Sequence, residues 1–353
     1  MTPLRVLVFG YGFAGAWIHD PLIRAVPGLA ISAVVTSSSQ RQELARSRDP
    51  DVLVFSTAEE ALSAAEADVA VVATPNRHHV ELTLASMKSD MAVVVDKPLA
   101  NNAEDARLLV DEAKRFGKTL AVFQNRRWDG DFLTVRKLVE AGRLGSVHRL
   151  TSRFDRWVPD PDSDWRDDDP ESGGGLLLDL GSHLVDQAIR LLGPIASVYC
   201  ELKTLTPGRR SDDDVFISLA HDSGARSHLY ASSLEGEPAT RFHVSGSKGA
   251  YVKEGKDVQE QRLLAGTTVV PGQTGEEPPQ TWGTIFRGSE VESVETVTGD
   301  WSTFYRRLLA HLTEGAPNPV TGEEACEVLG ILDAARVSAR TGAVVEAGPA
   351  VFP

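Results

Sequence analysis

Two kinds of hydrophobic pattern divide the chain. Up to about residue 123, short unbroken runs of Val, Ala and Ile alternate with amphipathic stretches that are long enough to be helices. The runs are RVLVFG, AISAVVTS, ADVAVVAT, MAVVVDKP and TLAVFQN. Unbroken apolar runs of this length are typical of parallel strands that are buried on both faces. We therefore predict a doubly wound α/β domain over residues 1–123.

After residue 123, apolar and polar positions alternate instead. Segments such as IASVYCELKTL, DDVFISLAHDSG and ARSHLYASSLEG are typical of an antiparallel sheet with one covered face. One strong helical pattern, LLLDLGSHLVDQAIRLLG, interrupts the strands, and helical patterns return near the end of the chain. Residues 124–353 are predicted to form an α+β domain with a large, mostly antiparallel, open-faced sheet, in which residues 266–298 form an irregular connection.

Composition restricts the possible partners. The 353 residues carry a formal net charge of -14, so we expect neither nucleic acid nor an anionic membrane as a partner. Cys200 and Cys326 lie far apart in the chain, which indicates reduced thiols. No apolar stretch reaches the roughly 20 residues of a membrane span. We expect a cytoplasmic protein that binds a small molecule, and the uncovered sheet face predicts a homodimer or homotetramer.

A glycine-rich loop follows the first apolar run. The segment VLVFGYGFAGAW places Gly10, Gly12 and Gly15 in G-x-G-x-x-G spacing, with Phe13 inside the loop, between a predicted strand and a predicted helix. The first glycine permits a tight turn, the second lets the backbone approach a pyrophosphate, and the third lets the helix pack on the strand. The free N–H groups at the helix start favour an anion. This segment predicts a dinucleotide-binding site.

The residues after the second apolar run bear on the type of dinucleotide. An acid at this place would hold the ribose 2′-hydroxyl of NAD, but the chain has VVTSSSQRQE. Ser37 and Ser38 can donate hydrogen bonds to a phosphate, and the guanidinium group of Arg41 can bind it. We therefore predict NADP in preference to NAD. The alternative is that Ser39 only caps the next helix while Gln42 bonds back to it; both roles are compatible.

Charged side chains in two segments form a candidate catalytic group. Lys97 follows the apolar run that ends in VVVD, at the carboxyl end of a predicted strand, where ligands bind in doubly wound sheets. The alternative is a surface lysine whose stem covers apolar neighbours. Asp179 and His183 are four residues apart, so a helix places them on one face. A carboxylate one turn before a histidine can select its tautomer and raise its basicity.

Together these segments resemble the Gfo/Idh/MocA oxidoreductases over nearly the whole chain. The resemblance is carried by the glycine loop, TPNRHH, DLGSH, and DKP in place of the commoner Glu-Lys-Pro. HDPLI, FQNRRWDGDF and FDRW are most similar to the branch that contains NADP-dependent scyllo-inositol dehydrogenases. The resemblance implies an N-terminal Rossmann domain and the catalytic set Lys97, Asp179 and His183. It also implies that the nicotinamide side of the cofactor contacts Thr74, Pro75, Asn76, His79, Asp96 and Lys97.

Oxidation of a secondary alcohol removes a hydride and a proton, and the cofactor accepts the hydride. We expect His183, held by Asp179, to take the hydroxyl proton. We expect the ammonium group of Lys97 to stabilise the developing alkoxide. The roles of Lys97 and His183 can be exchanged.

Recognition of a polyol requires several polar side chains around a compact cavity. The candidates are Asn125, at the end of TLAVFQN, and Arg153 with Asp155, which period-2 alternation places on one strand face. Arg153 and Asp155 can equally form a structural ion pair. Together with the three catalytic candidates, these residues define a predicted substrate site.

The sequence therefore predicts an NADP-dependent oxidoreductase that interconverts a secondary alcohol and a ketone on a cyclic polyol or sugar, such as an inositol. The alternatives are a dehydrogenase or reductase of another sugar or carbonyl compound, and a non-catalytic NADP-sensing regulator. We expect no metal. Residues 160–171 imitate a calcium loop, but Trp165 stands where glycine is required. We interpret them as a solvated acidic loop near the substrate entrance, or as a lid.

Overall fold

A computed structural model of the protein describes residues 2–159, 173–237 and 240–347. Its N-terminal part contains the strands β1 (Leu4–Phe9), β2 (Leu29–Val35), β3 (Leu53–Phe55), β4 (Val69–Val72), β5 (Ala92–Asp96) and β6 (Leu120–Phe123). They form one parallel sheet in the order β3-β2-β1-β4-β5-β6. From β1 the chain adds β2 and β3 on one side, and then β4, β5 and β6 on the other side. The strand order therefore reverses between β1 and β4, and ligands are expected in the crevice at the carboxyl ends of these two strands. The sequence pattern did not reveal β3, because only three of its residues pair.

Helices connect the parallel strands. A π-helical segment, Phe13–His19, continues into α1 (Asp20–Arg24), and α2 (Ser39–Arg48), α3 (Ala58–Ala64), α4 (His79–Lys88) and α5 (Ala103–Phe116) follow. A 3-10 turn, Asn76–His78, precedes α4. In α5, Asn102 caps the first turn and Gly117 ends the helix with a φ of 63°. None of the described helices is long and apolar enough to cross a membrane.

The C-terminal part contains a nine-stranded sheet. Its strands are β7 (Val147–Arg153), β8 (Ile195–Lys203), β9 (Asp214–His221), β10 (Arg226–Ser232), β11 (Thr240–Gly246), β12 (Gly249–Glu254), β13 (Gly283–Arg287), β14 (Glu290–Val294) and β15 (Val345–Glu346). Their order is β14-β13-β12-β11-β7-β10-β9-β8-β15. Of these neighbouring pairs, β7 with β10 is parallel and the others are antiparallel.

In the part of the chain that the structure describes, five helices accompany this sheet: α6 (Gly130–Glu140), α7 (Ser182–Leu192), α8 (Gln259–Leu264), α9 (Ser302–Glu314) and α10 (Gly322–Thr341). A π-helical segment, Leu177–Gly181, leads into α7, and 3-10 turns lie at Asn125–Trp128 and Pro279–Thr281. The predicted helix LLLDLGSHLVDQAIRLLG is therefore confirmed, with a π-helical first turn. π-helical turns are frequent at functional sites.

One face of the nine-stranded sheet is covered and the other is open. In β9, the side chains of Val215, Ile217 and Leu219 are buried, whereas Phe216 and Ser218 between them are half-buried. Successive side chains of a strand point to opposite faces, so this alternation separates a core face from an open face. The predicted fold class, a parallel Rossmann sheet followed by a mostly antiparallel, open-faced sheet, is confirmed.

Residues 266–298 are more regular than we predicted. Strands β13 and β14 pair as a hairpin at the edge of the sheet, and Gly288 has a φ of 64° in the turn between them. Ile285 in β13 is fully buried, while the residues of β14 are all partly or fully exposed. A short edge hairpin with so little burial leaves a weak alternation in the sequence, which explains the wrong prediction.

The last two helices pack back onto the N-terminal part. Thr321 caps α10 and also pairs with Ala121 of β6 in an isolated bridge. In α9, the hydroxyl group of Tyr305 lies 2.5 Å from Nδ1 of His19. The division of the chain at residue 123 therefore stays a prediction, because α9 and α10 contact both parts. Their contacts position the carboxyl ends of the parallel strands against the C-terminal part.

Candidate active site

The glycine loop has the geometry of a dinucleotide-binding turn. Gly10 has a φ of +85°, and a Cβ atom there would lie 2.5 Å from the carbonyl oxygen of Ala73. A Cβ atom at Gly15 would lie 2.0 Å from the carbonyl oxygen of Gly10. Neither position therefore accommodates a side chain. At Gly12, the nearest atoms around such a Cβ belong to the guanidinium group of Arg41, 3.5 Å away.

Arg41 approaches this loop from the start of α2. The N-cap of α2 is Ser38, whose hydroxyl oxygen accepts from the Arg41 N–H group at 3.5 Å. The alternative with Ser39 as the cap is wrong, because Gln42 donates instead to the Thr36 carbonyl oxygen at 2.9 Å. The Arg41 guanidinium group is thus placed to bind an anion beside the loop. Ser37 is exposed next to them.

Lys97 lies directly after β5 and reaches across to the segment before α7. Its Nζ atom donates to the backbone carbonyl oxygen of Asp179 at 2.6 Å and to Oδ1 of the same residue at 2.7 Å. The two side chains are only 14% and 18% exposed. The predicted position of Lys97, at a strand end in a ligand crevice, agrees with the structure. Its ammonium group is oriented by Asp179, which was predicted to hold His183.

His183 has a different partner from the predicted one. Its Nδ1 atom lies 3.0 Å from Oε1 of Gln124, the residue that follows β6, and among the described residues it forms no hydrogen bond with Asp179. Burial lowers the pKa of His183 well below its usual value, and the positive charges of Lys97 and Arg126 lower it further. The imidazole ring is therefore neutral at pH 7, which is the protonation state that a proton acceptor requires.

Asp96 is the last residue of β5 and lies beside Lys97. Its Oδ1 atom accepts from the Lys97 N–H group at 2.9 Å, and its Oδ2 atom is 3.8 Å from Nε2 of the buried His19. Burial alone would raise the pKa of this carboxyl group, but His19 and the positive charge of Lys97 outweigh it and lower the pKa. Asp96 is therefore an anionic hydrogen-bond acceptor at the edge of the cavity.

The predicted cofactor residues that follow β4 differ in their hydrogen bonds. The hydroxyl oxygen of Thr74 is buried and has no hydrogen-bond partner among the described residues, so it is available to a ligand. Asn76 donates from Nδ2 to the Gly173 carbonyl oxygen at 2.8 Å. His79 is fully buried, and its ring nitrogens lie 2.8 Å from the carbonyl oxygen of Pro98 and 2.9 Å from that of Thr74, so its assignment to the cofactor stays a prediction. Burial lowers the pKa of His79, and a neutral ring has one N–H group, so it donates to one of these two carbonyl oxygens.

These strand ends enclose a cavity of about 400 Å³ between the two sheets. The candidates Lys97, Asp179, His183, Asn125, Asp96 and Phe13 all line it, and the sequence had not singled out Arg126, Arg156, Arg209, Asp212, Glu260 and Trp301. Burial raises the pKa of Asp212 to about 6. Among the missed residues, only Arg126 carried a usable signal, since it lies just beyond the end of a parallel strand. The others come from loops and helices distant in sequence.

Arg153 and Asp155 do not line this cavity. They border a second cavity, of about 290 Å³, together with Phe216 and Tyr230 of the open sheet face. The Arg153 Nε atom donates to Oδ2 of Asp155 at 2.7 Å, and the guanidinium carbon lies 4.6 Å from the centre of the Tyr230 ring. The two residues therefore lie apart from the other substrate candidates, and they form the ion pair that was the alternative prediction.

The described residues fit a nicotinamide dinucleotide. The loop at Gly10 and Gly15 has no room for side chains, so its backbone is open to a pyrophosphate. The carboxylate of Asp96 lines the cavity, and the buried, unpartnered hydroxyl group of Thr74 belongs to a residue that lies against the turn at Gly10. Among the described residues, no group of three or more His, Cys, Asp and Glu side chains could hold a metal ion. The calcium-like segment 160–171 lies outside the described residues.

A glycine loop after β1, a reversal in strand order and a charged cavity at the strand ends define a nicotinamide-dependent dehydrogenase. Two family models match the chain: "Oxidoreductase family, NAD-binding Rossmann fold" over residues 4–124, and "GFO/IDH/MocA C-terminal domain" over residues 132–252. The chain belongs to the Gfo/Idh/MocA oxidoreductase family.

Known proteins are similar over almost the full length. The scyllo-inositol 2-dehydrogenase (NADP(+)) IolW of Bacillus subtilis is 31% identical over 96% of this chain and 94% of its own. The uncharacterized oxidoreductase YdgJ of Escherichia coli is 35% identical over 96% of both chains. The crystal structure of an oxidoreductase from Klebsiella pneumoniae has a TM-score of 0.88 at 34% identity, and covers 98% of this chain and 95% of that one. The predicted family and the NAD(P)-dependent dehydrogenase class are confirmed.

Proposed function

We propose that the protein is an NADP-dependent dehydrogenase that interconverts a secondary alcohol and a ketone on a cyclic polyol or sugar, with an inositol as the first candidate. The observation that carries the proposal is the juxtaposition, in one cavity, of a neutral imidazole and an ammonium group held at 2.7 Å by a carboxylate. The name of the relative IolW supports the inositol and NADP parts of the proposal.

The residues of the cavity have different roles in alcohol oxidation. A bound nicotinamide supplies the hydride acceptor. His183 accepts the hydroxyl proton, because its ring is neutral and its Nε2 atom makes no hydrogen bond with a described residue. Lys97 stabilises the developing alkoxide with its ammonium group, which Asp179 orients. Asn125 lies in the same cavity and offers both a donor and an acceptor to substrate hydroxyl groups.

The choice of NADP rests on Arg41 and its neighbours. The guanidinium group beside Gly12 can bind a 2′-phosphate, and Ser37 and Ser38 can donate to it. Hydrogen bonds to charged groups contribute about 1.5–3 kcal/mol each. Arg41→Ala should therefore raise the KM for NADP by roughly 10- to 100-fold, and leave the KM for NAD nearly unchanged.

The first experiment is a panel of initial rates, followed at the absorbance band of the reduced nicotinamide. The substrates are scyllo-inositol, myo-inositol and several aldoses, each with NADP and with NAD. Turnover of an inositol with NADP would support the proposal. Turnover of an aldose and of no inositol would make an aldose the proposed substrate. Cofactor binding without turnover of any polyol or carbonyl compound would favour the NADP-sensing regulator.

We further propose that a second copy of the chain packs on the open sheet face. Arg149 and Arg226 stand directly opposite each other on β7 and β10, and neither forms an ion pair with a described residue. The other end of the same face carries the carboxylates of Glu201, Asp214 and Glu235. A two-fold axis through the middle of the face would place the basic end of one copy over the acidic end of the other.

The thiols support the proposed cytoplasmic location. Cys200 and Cys326 are both free and buried, and burial raises the pKa of each to about 12. They are therefore inert to oxidation in the folded protein. Two free, buried thiols are expected of a protein that works in a reducing compartment.

A further inference from the structure

We infer that Gln124 is the positioning residue that selects the tautomer of His183, a role first predicted for Asp179. The inference rests on the proposed function in one respect, namely that His183 acts as the proton acceptor. It adds which ring nitrogen accepts the proton and what keeps that nitrogen free.

The contacts of Gln124 define the orientation of its amide group. Gln124 lies directly after β6 and is 3% exposed, and His183 is 4% exposed. The Gln124 Nε2 atom donates to the Ser182 carbonyl oxygen at 3.4 Å, while its Oε1 atom lies 3.0 Å from Nδ1 of His183. A carbonyl oxygen can only accept, so the NH₂ group must face Ser182 and the amide oxygen must face the imidazole.

This orientation determines the tautomer. An amide oxygen can only accept, so Nδ1 of His183 must carry the proton and donate. Nε2 is then left with a lone pair, and the ring lines the cavity. Since Ser182 and His183 are consecutive, one amide group holds both the histidine ring and the peptide bond that precedes it. The base therefore has a defined position as well as a defined protonation state.

Charged alternatives to Gln124 are occupied elsewhere. Asp179 binds Lys97 at 2.7 Å. Asp186, one turn after His183, accepts from Nε and Nη2 of Arg127 at 2.9 and 2.6 Å. A neutral amide is therefore the partner of the ring, and it selects the tautomer without the increase in basicity that a carboxylate would cause. Gln124 thus lets His183 remain unprotonated in a cavity that also contains an ammonium group.

The test replaces Gln124 in the full-length enzyme with two residues of similar size. Gln124→Glu introduces a carboxylate, which should raise the pKa of His183 by about one unit or more. Because the protonated ring cannot accept a proton, the acidic limb of kcat/KM for alcohol oxidation should move to higher pH by the same amount. Gln124→Met removes both hydrogen bonds and should lower kcat by about 10-fold or more, with the KM for the cofactor unchanged.

Nitrogen-15 NMR of histidine-labelled protein provides a readout that needs no turnover. We expect the His183 ring, assigned by its loss in His183→Asn, to show the proton on Nδ1 in the wild type, and a mixture of tautomers in Gln124→Met. A proton on Nε2 in the wild type, or an unmoved acidic limb in Gln124→Glu, would overturn the inference. If His183→Asn retains normal turnover, the proposed function fails while the tautomer result still stands.

Gln187→Met is the matched control. Gln187 is also buried on α7, donates to the Arg126 carbonyl oxygen at 3.0 Å and accepts from Arg241 at 2.7 Å. Its loss should reduce stability without moving the acidic limb or the His183 tautomer. An equal change of tautomer in this variant would show that any lost buried amide disturbs the ring, and would count against a specific role for Gln124.

Discussion

The ion pairs Lys97–Asp179 and Arg153–Asp155 have the same shortest distance between nitrogen and carboxylate oxygen, 2.7 Å, and lie in different cavities. The first pair joins the end of a parallel strand to the segment before a helix, and therefore spans the crevice between the two sheets. The second joins positions two apart at the end of β7, on the open face of the nine-stranded sheet. A short distance between charges thus does not identify a catalytic pair; the elements that the pair connects do.

The surroundings of the two pairs also differ. The cavity of Lys97 contains a neutral histidine and the end of β5, which place hydrogen-bonding groups next to a cofactor loop. The cavity of Arg153 is lined by Phe216, Tyr230 and three further carboxylates, those of Glu201, Asp214 and Glu235. This second environment is suited to a positively charged partner, and its carboxylates lie on the open sheet face, among residues that do not line the cavity of Lys97 and His183.

The largest expected effect separates the two pairs by activity. Lys97→Met removes the ammonium group that stabilises the alkoxide, and should lower kcat by about 10²- to 10⁴-fold, in the range found for a single proton-transfer or electrostatic group. Arg153→Met, the matched control, should leave kcat close to that of the wild type. Steady-state kinetics with the substrate from the initial panel measures both. Comparable losses in the two variants would remove the distinction between the cavities.

The next effect concerns association of the chains through the open face. One double variant, Arg149→Glu with Arg226→Glu, should reverse the charge of the basic end. A second, Glu201→Arg with Asp214→Arg, should reverse the charge of the acidic end. Each double variant should dissociate into monomers, because like charges would then face each other across the two-fold axis. An equimolar mixture of the two should recover a dimer. Analytical ultracentrifugation measures the oligomeric state of the wild type, of each variant and of the mixture. A monomeric wild type would contradict this interface, and so would a mixture that stays monomeric.

The smallest expected effect is on stability, where the two pairs should behave alike. Asp155→Asn removes the ion pair with Arg153, and Asp179→Asn removes the pair with Lys97 and a longer one with Arg156 at 3.9 Å. Each substitution should cost about 1–2 kcal/mol of unfolding free energy. Urea denaturation followed by tryptophan fluorescence measures the cost. Only Asp179→Asn should also reduce turnover. A much larger loss of stability in Asp155→Asn would mean that its pair holds β7 to its neighbours more firmly than the exposure of Arg153 suggests.

Several parts of the site could be predicted because they depend on local chemistry. Gly10 and Gly15 are needed at a turn in which backbone atoms touch, and such a turn leaves a spacing that can be recognised. Lys97 follows an apolar run, and all carboxyl ends of a parallel sheet meet at one edge, so its location in the crevice followed from the strand alone. Asn125 could be placed in the same way, at the end of the neighbouring strand.

The mistakes concern residues whose partners are distant in the chain. Asp179 is four residues from His183, and helical spacing favoured that pair, but Lys97 is 82 positions away and binds Asp179 instead. Similarly, period-2 alternation favoured one strand face for Arg153 and Asp155, but β7 ends at Arg153, and the alternation could not show which cavity the two residues border. For His79, which the resemblance assigned to the cofactor, the sequence did not show that a backbone carbonyl oxygen faces each of its ring nitrogens.

Residue order alone was enough to predict the parallel sheet, the glycine loop, the open-faced sheet and the position of Lys97, because apolar periodicity and turn chemistry act between residues that are close in the chain. The partner of His183 was decided only when β6 and α7 packed together and brought Gln124 to 3.0 Å from the ring. The same holds for the separate cavity of Arg153. Hydrogen bonds and ion pairs act over a few ångströms in space, and tertiary packing determines which distant side chains come within that range.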